Sequence, residues 1–164
     1  MILYSSWESP IGTVVMVSDG VNLTGLKRNS IVPPDGRKQE DLPVFLQTSR
    51  WLAQYFAGEN PDVAELPLNP SGTSFQKQVW QILLEIPWGQ TRTYGEIARE
   101  LATIMGKEKM SPQAVGQAVG RNPIWIAIPC HRCVGAKGKL TGYAGGLDIK
   151  DWLLRHEGWR GAET

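Results

Sequence analysis

Cysteine and histidine are scarce in this chain of 164 residues, two of each, yet Cys130, His131 and Cys133 all fall in one stretch, "IPCHRCVG". Three chemistries use such residues. A thioredoxin-like redox pair places C-x-x-C at the start of a helix, but the "VGAKGKLTG" that follows Cys133 does not begin one. A zinc site would draw on Cys130, His131, Cys133 and His156. Sequence neighbours such as Cys130 and His131 rarely ligate one ion, and no second C-x-x-C exists. The third chemistry is a single nucleophile, Cys130, with Cys133 an ordinary buried small residue. A free thiol ionises near a pKa of about 8.5, so a nucleophilic cysteine needs a base or a cation beside it. His131 and Arg132 adjoin it in sequence, and a tight turn after Pro129 brings the imidazole toward the sulfur, directly or through a water. A Cys–His pair also wants a third group to orient the ring. Glu157 is the candidate: it ends the last helix, where the macrodipole disfavours an anion unless a donor or cation meets it. An exposed Glu at a frayed helix end fits the same position.

The elements that must hold these groups are legible in outline. "MILYSSW", "GTVVMVS" and "VNLTGLK" read as three strands, separated by Ser-Pro and Asp-Gly turn signals. "IVPPDGRKQ" reads as a loop. Asp41 to Phe56 reads as a helix, with Leu42, Phe45, Leu46, Leu52, Tyr55 and Phe56 near a 3.6 period and Gly58 as its stop. The proline-rich "GENPDVAELPLNPSG" is the best linker, so domains are expected at 1–72 and 73–164. The second half opens with a helix capped by Thr73 or Ser74, whose stripe is Phe75, Val79, Ile82, Leu83 and Ile86. "TYGEIARELA" and "MSPQAVGQAVG" follow as two short helices, the latter with Ser111 as cap and Pro112 at its first position. Such a pair has the pattern of a helix-turn-helix, a weak signal alone. The last helix, "LDIKDWLLRHEG", is expected to turn Ile149, Trp152, Leu153 and His156 to one face.

Composition narrows the classes. Hydrophobic content of 41% supports a packed core, and no apolar run is long enough for a membrane span. Two cysteines are not a secreted disulfide framework, no signal peptide is visible, and the cytoplasm is the expected compartment. The net charge of +1 hides an asymmetry: residues 1–73 hold five basic and eight acidic residues, and residues 74–164 hold twelve and eight. Between 107 and 139 six basic residues face only Glu108. A basic zone around the cysteines suits an anionic partner such as nucleic acid, or simply a solvated surface.

At "IPCHRCVGAKGKLTGYAGG" the chain resembles the O6-alkylguanine-DNA alkyltransferases. The Asn-Pro at 122–123, the Pro-Cys-His-Arg at 129–132 and the Gly-Tyr-x-Gly-Gly at 142–146 stand in that family's order and spacing. "FQKQVWQILLEIPWGQTRTYGEIA" is similar to its entry segment and "WLLRHEG" to its closing helix. The resemblance implies an α/β (α+β) fold: an RNase H-like strand-and-helix domain, then a mainly helical domain with a helix-turn-helix. It implies direct DNA repair, in which an alkyl group passes irreversibly from O6 of guanine, with O4 of thymine as a second donor site, to Cys130. His131 would take the thiol proton through a water, Glu157 would hold His131, and Asn122 would hydrogen-bond within the turn. Tyr94 would place its hydroxyl on N3 of the flipped base. The carbonyls of Cys130 and Cys133 would accept from the guanine amino group, and Tyr143, Ala144 and Gly145 would wall the pocket. The second helix of the pair would enter the minor groove, giving a DNA-contact set of Ser111, Gln113, Ala114, Gln117, Ala118, Arg121 and Arg132. No cofactor, metal or membrane is implied, and a monomer on double-stranded DNA containing O6-alkylguanine is expected. A non-reactive lesion binder of the same fold is the alternative; it would lack the cysteine that this chain has.

Two positions depart from the family pattern. Many members carry arginine where this chain has Gln113, which implies a weaker grip on DNA or slower base extrusion. Cys133 stands where valine is usual, which leaves its carbonyl in place and adds a thiol able to bond Cys130 on oxidation.

Overall fold

An antiparallel hairpin starts the chain. Strand β1 (Leu3–Ser9) pairs with β2 (Gly12–Ser18) in a register that sets Leu3 opposite Ser18 and Ser9 opposite Gly12. Gly12 sits at φ +111°, a conformation glycine adopts without steric cost, and this lets the turn close tightly. Strand β3 (Leu23–Arg28) adds antiparallel to β2, and the two-residue β4 (Arg37–Lys38) adds parallel to β1, for a sheet order β3-β2-β1-β4. The stretch read as a loop thus contains an edge strand. Two charged residues after a Pro-Pro carry no hydrophobic alternation, and charge is what a sheet edge tolerates. Helix α1 (Pro43–Phe56) buries Phe45, Leu52 and Tyr55, and the sheet buries Leu3, Val14, Met16 and Leu26.

These elements form a first unit, Met1–Ser71, which also takes in Pro123–Trp125 from far along the chain. That excursion adds to β3: Trp125 N donates to Leu26 O at 2.8 Å, and Leu26 N donates to Pro123 O at 2.9 Å. The second unit comprises Gly72–Asn122 and the chain from Ile126 on. The computed structural model describes residues 1–29, 31–143 and 146–161. None of the described helices is long and apolar enough to cross a membrane.

In the second unit, α2 (Ser74–Leu84) begins with a reciprocal capping box between Thr73 and Gln76. Strand β5 (Arg92–Thr93) leads into α3 (Tyr94–Ile104), whose capping box joins Thr93 and Glu96. Helix α4 (Pro112–Gly120) follows, with the Ser111 hydroxyl accepting from Gln113 N and Ala114 N. Trp80 of α2 is buried and donates its indole N–H to Ala118 O of α4 at 2.8 Å, which fixes α4 against α2. Gly72 makes room for that indole: a Cβ there would lie 2.5 Å from Trp80. A 3-10 turn (Cys130–Arg132), strand β6 (Cys133–Val134) and helix α5 (Leu147–His156) complete the unit.

Helix α5 faces inward differently from the sequence reading. Its buried residues are Ile149, Lys150, Leu153 and Leu154, whereas Trp152 is exposed and stacks on His156 with centroids 5.0 Å apart. The stripe is shifted by one position because a lysine occupies an interior place.

Candidate active site

The turn that leads into Cys130 is built by Pro129. Its φ of −81° and ψ of 67° are those of an inverse γ-turn, closed by Cys130 N donating to Ile128 O at 2.8 Å. The proline ring presets this φ, so Cys130 enters the 3-10 turn in a fixed orientation. Asn122, itself buried, donates Nδ2 to the same Ile128 O at 2.8 Å, and its side chain also reaches the Cys130 thiol. Between them Ile126 is buried at φ +70°, a strained conformation for a β-branched residue, held by its surroundings.

His131 and Glu157 meet as expected from their chemistry. His131 Nε2 lies 2.6 Å from Glu157 Oε2, and both side chains are fully buried. The other carboxylate oxygen accepts from Arg132 Nε at 2.7 Å, and Arg132 also donates NH1 to Ile86 O at 2.6 Å. Burial alone raises the Glu157 pKa, but His131 and Arg132 beside it hold the carboxyl well below the usual carboxylate range. Burial pushes His131 below its ordinary value, against the pull of Glu157. The resting pair is therefore a carboxylate and a neutral imidazole. The carboxylate accepts a hydrogen bond from Nε2–H, which leaves a lone pair on Nδ1. His131 Nδ1 is buried and has no hydrogen-bond partner among the described residues. Glu157 closes α5 as its C-terminal cap residue, and Gly89 passes close by: a Cβ there would lie 3.0 Å from Glu157 O.

Cys130 is buried, and burial pushes its thiol up; Asn122, Lys150 and Tyr143 oppose this in that order. The sulfur rests as a thiol. Cys130 and Cys133 are both free, and burial drives Cys133 up to about 12. No cluster of three or more His, Cys, Asp or Glu able to hold a metal occurs among the described residues.

Strands β5 and β6 pair in parallel, with Arg92 opposite Cys133 and Thr93 opposite Val134. This brings Tyr94, the first residue of α3, beside the cysteines. Its hydroxyl hydrogen-bonds with the Thr141 side chain, and burial, then Cys133, raises its pKa. Tyr143 is half-buried, with its hydroxyl buried near Cys130; burial first, then the sulfur, pushes its pKa well up. Ala144 and Gly145, expected in the same wall, lie outside the described residues. The two carbonyls expected to read a purine already accept once. Cys130 O takes Cys133 N–H, and Cys133 O takes Lys150 Nζ at 2.6 Å. Each keeps a second lone pair.

The residues expected at DNA separate into two groups. Gln113, Gln117 and Arg121 are exposed on and beside α4, and Ala114 is half-buried. Thr73, Gln76, Ala114, Gln117, Gly120 and Arg121 line an open groove of about 680 Å³ along that helix. Ala118 is buried beneath it, and Ser111 caps the helix. Arg132 stands apart, its guanidinium engaged by Glu157 and Ile86 O. Sequence reading missed this inward role, and it missed Lys150 altogether. The available signal was the spacing Lys150, Leu153, Leu154, Glu157, an i, i+3, i+4, i+7 stripe with a charge at each end.

Fold and site together define a class: an α/β unit joined to a helix-turn-helix unit that carries a buried Cys130 next in sequence to a buried His–Glu pair. A family model described as the DNA binding domain of 6-O-methylguanine DNA methyltransferase matches residues 74–159, and one described as its ribonuclease-like domain matches 2–70. The chain belongs to the 6-O-methylguanine DNA methyltransferase family. A methylated-DNA–protein-cysteine methyltransferase of Methanosarcina acetivorans is 49% identical over 94% of this chain and 97% of its own. One from Haemophilus influenzae is 40% identical over 95% and 86%. The crystal structure of Mycobacterium tuberculosis OGT in complex with DNA matches with a TM-score of 0.81 at 41% identity, covering 94% of this chain and 92% of that one.

Proposed function

We infer that this protein repairs DNA by taking an alkyl group from O6 of guanine onto Cys130, once per chain. The observation that carries the reading is the buried His131–Glu157 hydrogen bond beside a buried Cys130, in a chain whose relatives are named methylated-DNA–protein-cysteine methyltransferases. His131 Nδ1 is the base. A water between it and the sulfur would carry the thiol proton to the imidazole, and Glu157 stabilises the imidazolium that forms. The new bond joins Sγ to the alkyl carbon while the carbon–O6 bond breaks, and its electron pair stays on the guanine. The Tyr94 hydroxyl, whose raised pKa makes it a reluctant acid, donates a hydrogen bond to N3 and eases that departure. The product is a thioether that no group in the site hydrolyses, so the protein is consumed.

The target atom lies inside the duplex, and extruding the nucleotide costs a few kcal/mol. Helix α4 fits the minor groove, with its small residues allowing close approach and Gln113 filling the space left by the base. Arg121 and the neighbouring lysines meet phosphates. Arg132 supports Glu157 and is not among the DNA contacts of this reading. Domains at 1–72 and 73–164, a monomer on DNA, and O4 of thymine as a second site complete the reading. A nucleophile that must remain a thiol favours a reducing compartment, which supports the cytoplasm.

Intact mass after incubation with a duplex containing O6-methylguanine tests this. The expected result is a gain of one methyl per chain, located at Cys130 and persistent, with none in Cys130→Ser. Binding without a mass change, or one chain clearing several lesions, would sink the reading.

A further inference from the structure

Lys150 places its amino group in the interior, where burial pulls its pKa below the ordinary lysine value and Cys133 and Cys130 oppose that pull. Its side chain on α5 is buried, with no exposed surface. Its Nζ donates to Cys133 O at 2.6 Å and Thr141 O at 3.0 Å, and Gly142 O lies at 3.4 Å. Carbonyls only accept, so this surrounding suits an ammonium with three donors. No Asp or Glu pairs with it among the described residues. Glu157, on the same helix, is committed to His131 and Arg132. The ionisable groups that face the ammonium are Cys133 from β6, Cys130 and His131 from the 3-10 turn, and Tyr94 from α3, whose ring centroid is 5.9 Å away. Tyr143, from the loop before α5, faces Cys130 in turn. The two cysteines and two tyrosines are neutral at rest and become anions on losing a proton, whereas His131 becomes a cation on gaining one, which the ammonium opposes.

A buried cation without a counter-ion is costly. Carbonyl dipoles satisfy its N–H groups but leave its charge uncancelled. The cancelling charge appears when Cys130 gives up its proton. The same ammonium joins three segments: the end of the acceptor turn, Thr141, which also holds Tyr94, and Gly142, which precedes Tyr143.

We propose that Lys150 is a positioning residue for alkyl transfer: it clips the acceptor turn to the 141–142 loop and supplies the fixed positive charge opposite the sulfur anion. This rests on the reading of Cys130 as the alkyl acceptor. Arg132 cannot replace it, because Glu157 and Ile86 O hold that guanidinium. The lysine touches no reacting atom; it acts through the groups that do.

Single-turnover transfer from an O6-methylguanine duplex, measured by intact mass across pH, tests the proposal in the parent, Lys150→Gln and Lys150→Met. Both variants are expected to be slower by about tenfold at neutral pH, with the acid limb of the rate profile moved up by about one pH unit. Raising the pH then recovers rate. Lys150→Gln, which can still donate to Cys133 O, is expected to lose less rate than Lys150→Met. Duplex affinity stays at the parent value. A variant that is slower at every pH with the parent's midpoint is a merely structural lesion and overturns the proposal, as does an unchanged rate. Should the variants not fold, nitrogen NMR of the parent decides: an ammonium at Lys150 at neutral pH is expected, and a neutral amine overturns the charge role. A parent that takes no methyl defeats the functional reading itself, which separates the two failures.

Discussion

At the scale of single residues, the site works by keeping its charges in the right places before substrate arrives. Arg132 holds Glu157 as an anion, Glu157 accepts the Nε2–H hydrogen bond of His131, and the imidazole is left with a basic Nδ1. Replacing Glu157 by Gln keeps the shape and removes the anion. Transfer by Glu157→Gln is expected to slow by about a hundredfold, within the range that general-base support contributes, with duplex binding preserved. The same residue governs acid stability. Its carboxyl is depressed in the fold, so its contribution is complete above the ordinary carboxylate pKa of about 4.3 and lost as pH falls below it. His131, depressed below about 6.5, adds an earlier decline, because the unfolded chain takes up that proton first. The parent should lose stability in both windows on acidification, and the stability gap between parent and Glu157→Gln should narrow below pH of about 4. Thermal melts across pH check this; a gap that stays constant into acid would defeat the assignment. Cys130, His131 and Glu157 were legible in the sequence because two are neighbours and the third sits where a helix dipole makes an anion need a partner. Lys150 was not, because lysine belongs to the surface by default and only tertiary contacts reveal its three carbonyls.

At the scale of elements, the helices that frame the site announce themselves through caps. The Thr73–Gln76 and Thr93–Glu96 boxes and the Ser111–Pro112 start mark α2, α3 and α4 from residue types alone. The short elements do not. Strands β4, β5 and β6 span two residues each and carry no period, so only their pairing partners define them. The inward face of α5 was misread for a related reason: a period locates a stripe, and an interior lysine breaks the stripe's composition without breaking its spacing. Elements also meet at single backbone points. Gly89 stands at φ +80° with Glu157 O against it, so any side chain there is both strained and crowded. Gly89→Ala is expected to cost about 1–2 kcal/mol from the left-handed backbone alone. It should also push the end of α5 away from His131. Calorimetry should therefore show a lower Tm, and single-turnover transfer a slower rate at unchanged duplex affinity. A loss of stability with full activity would mean that the closing of α5 on this loop does not set Glu157.

At the scale of the whole molecule, the chain's path ties the acceptor turn to residues far from it in sequence. Asn122 and Ile126 onward belong to the unit that holds Cys130, whereas Pro123–Trp125 fold with the first unit by adding to β3. The segment that leaves and returns is the one whose two flanks position the nucleophile: Asn122 on one side, strained Ile126 and then Ile128 on the other. A boundary near 72, the natural cut by composition, passes over this excursion, because three residues in an apolar run carry no mark of which unit they join. A fragment of residues 73–164 keeps every residue of the proposed site but strips β3 from Pro123–Trp125. It loses two backbone hydrogen bonds at about 1 kcal/mol each and the burial of Ile124, about 2 kcal/mol more. A total of about 4 kcal/mol is a large share of the 5–15 kcal/mol that holds an ordinary domain together. Pro123–Trp125 lie in sequence between Asn122 and Ile126, so freeing them frees the chain that joins these two residues. The fragment is expected to methylate Cys130 at least about tenfold more slowly than the full chain, as loss of positioning implies. Adding residues 1–72 as a separate chain should restore part of the rate. A fragment that reacts as fast as the full chain would show that the acceptor turn holds its geometry without the first unit.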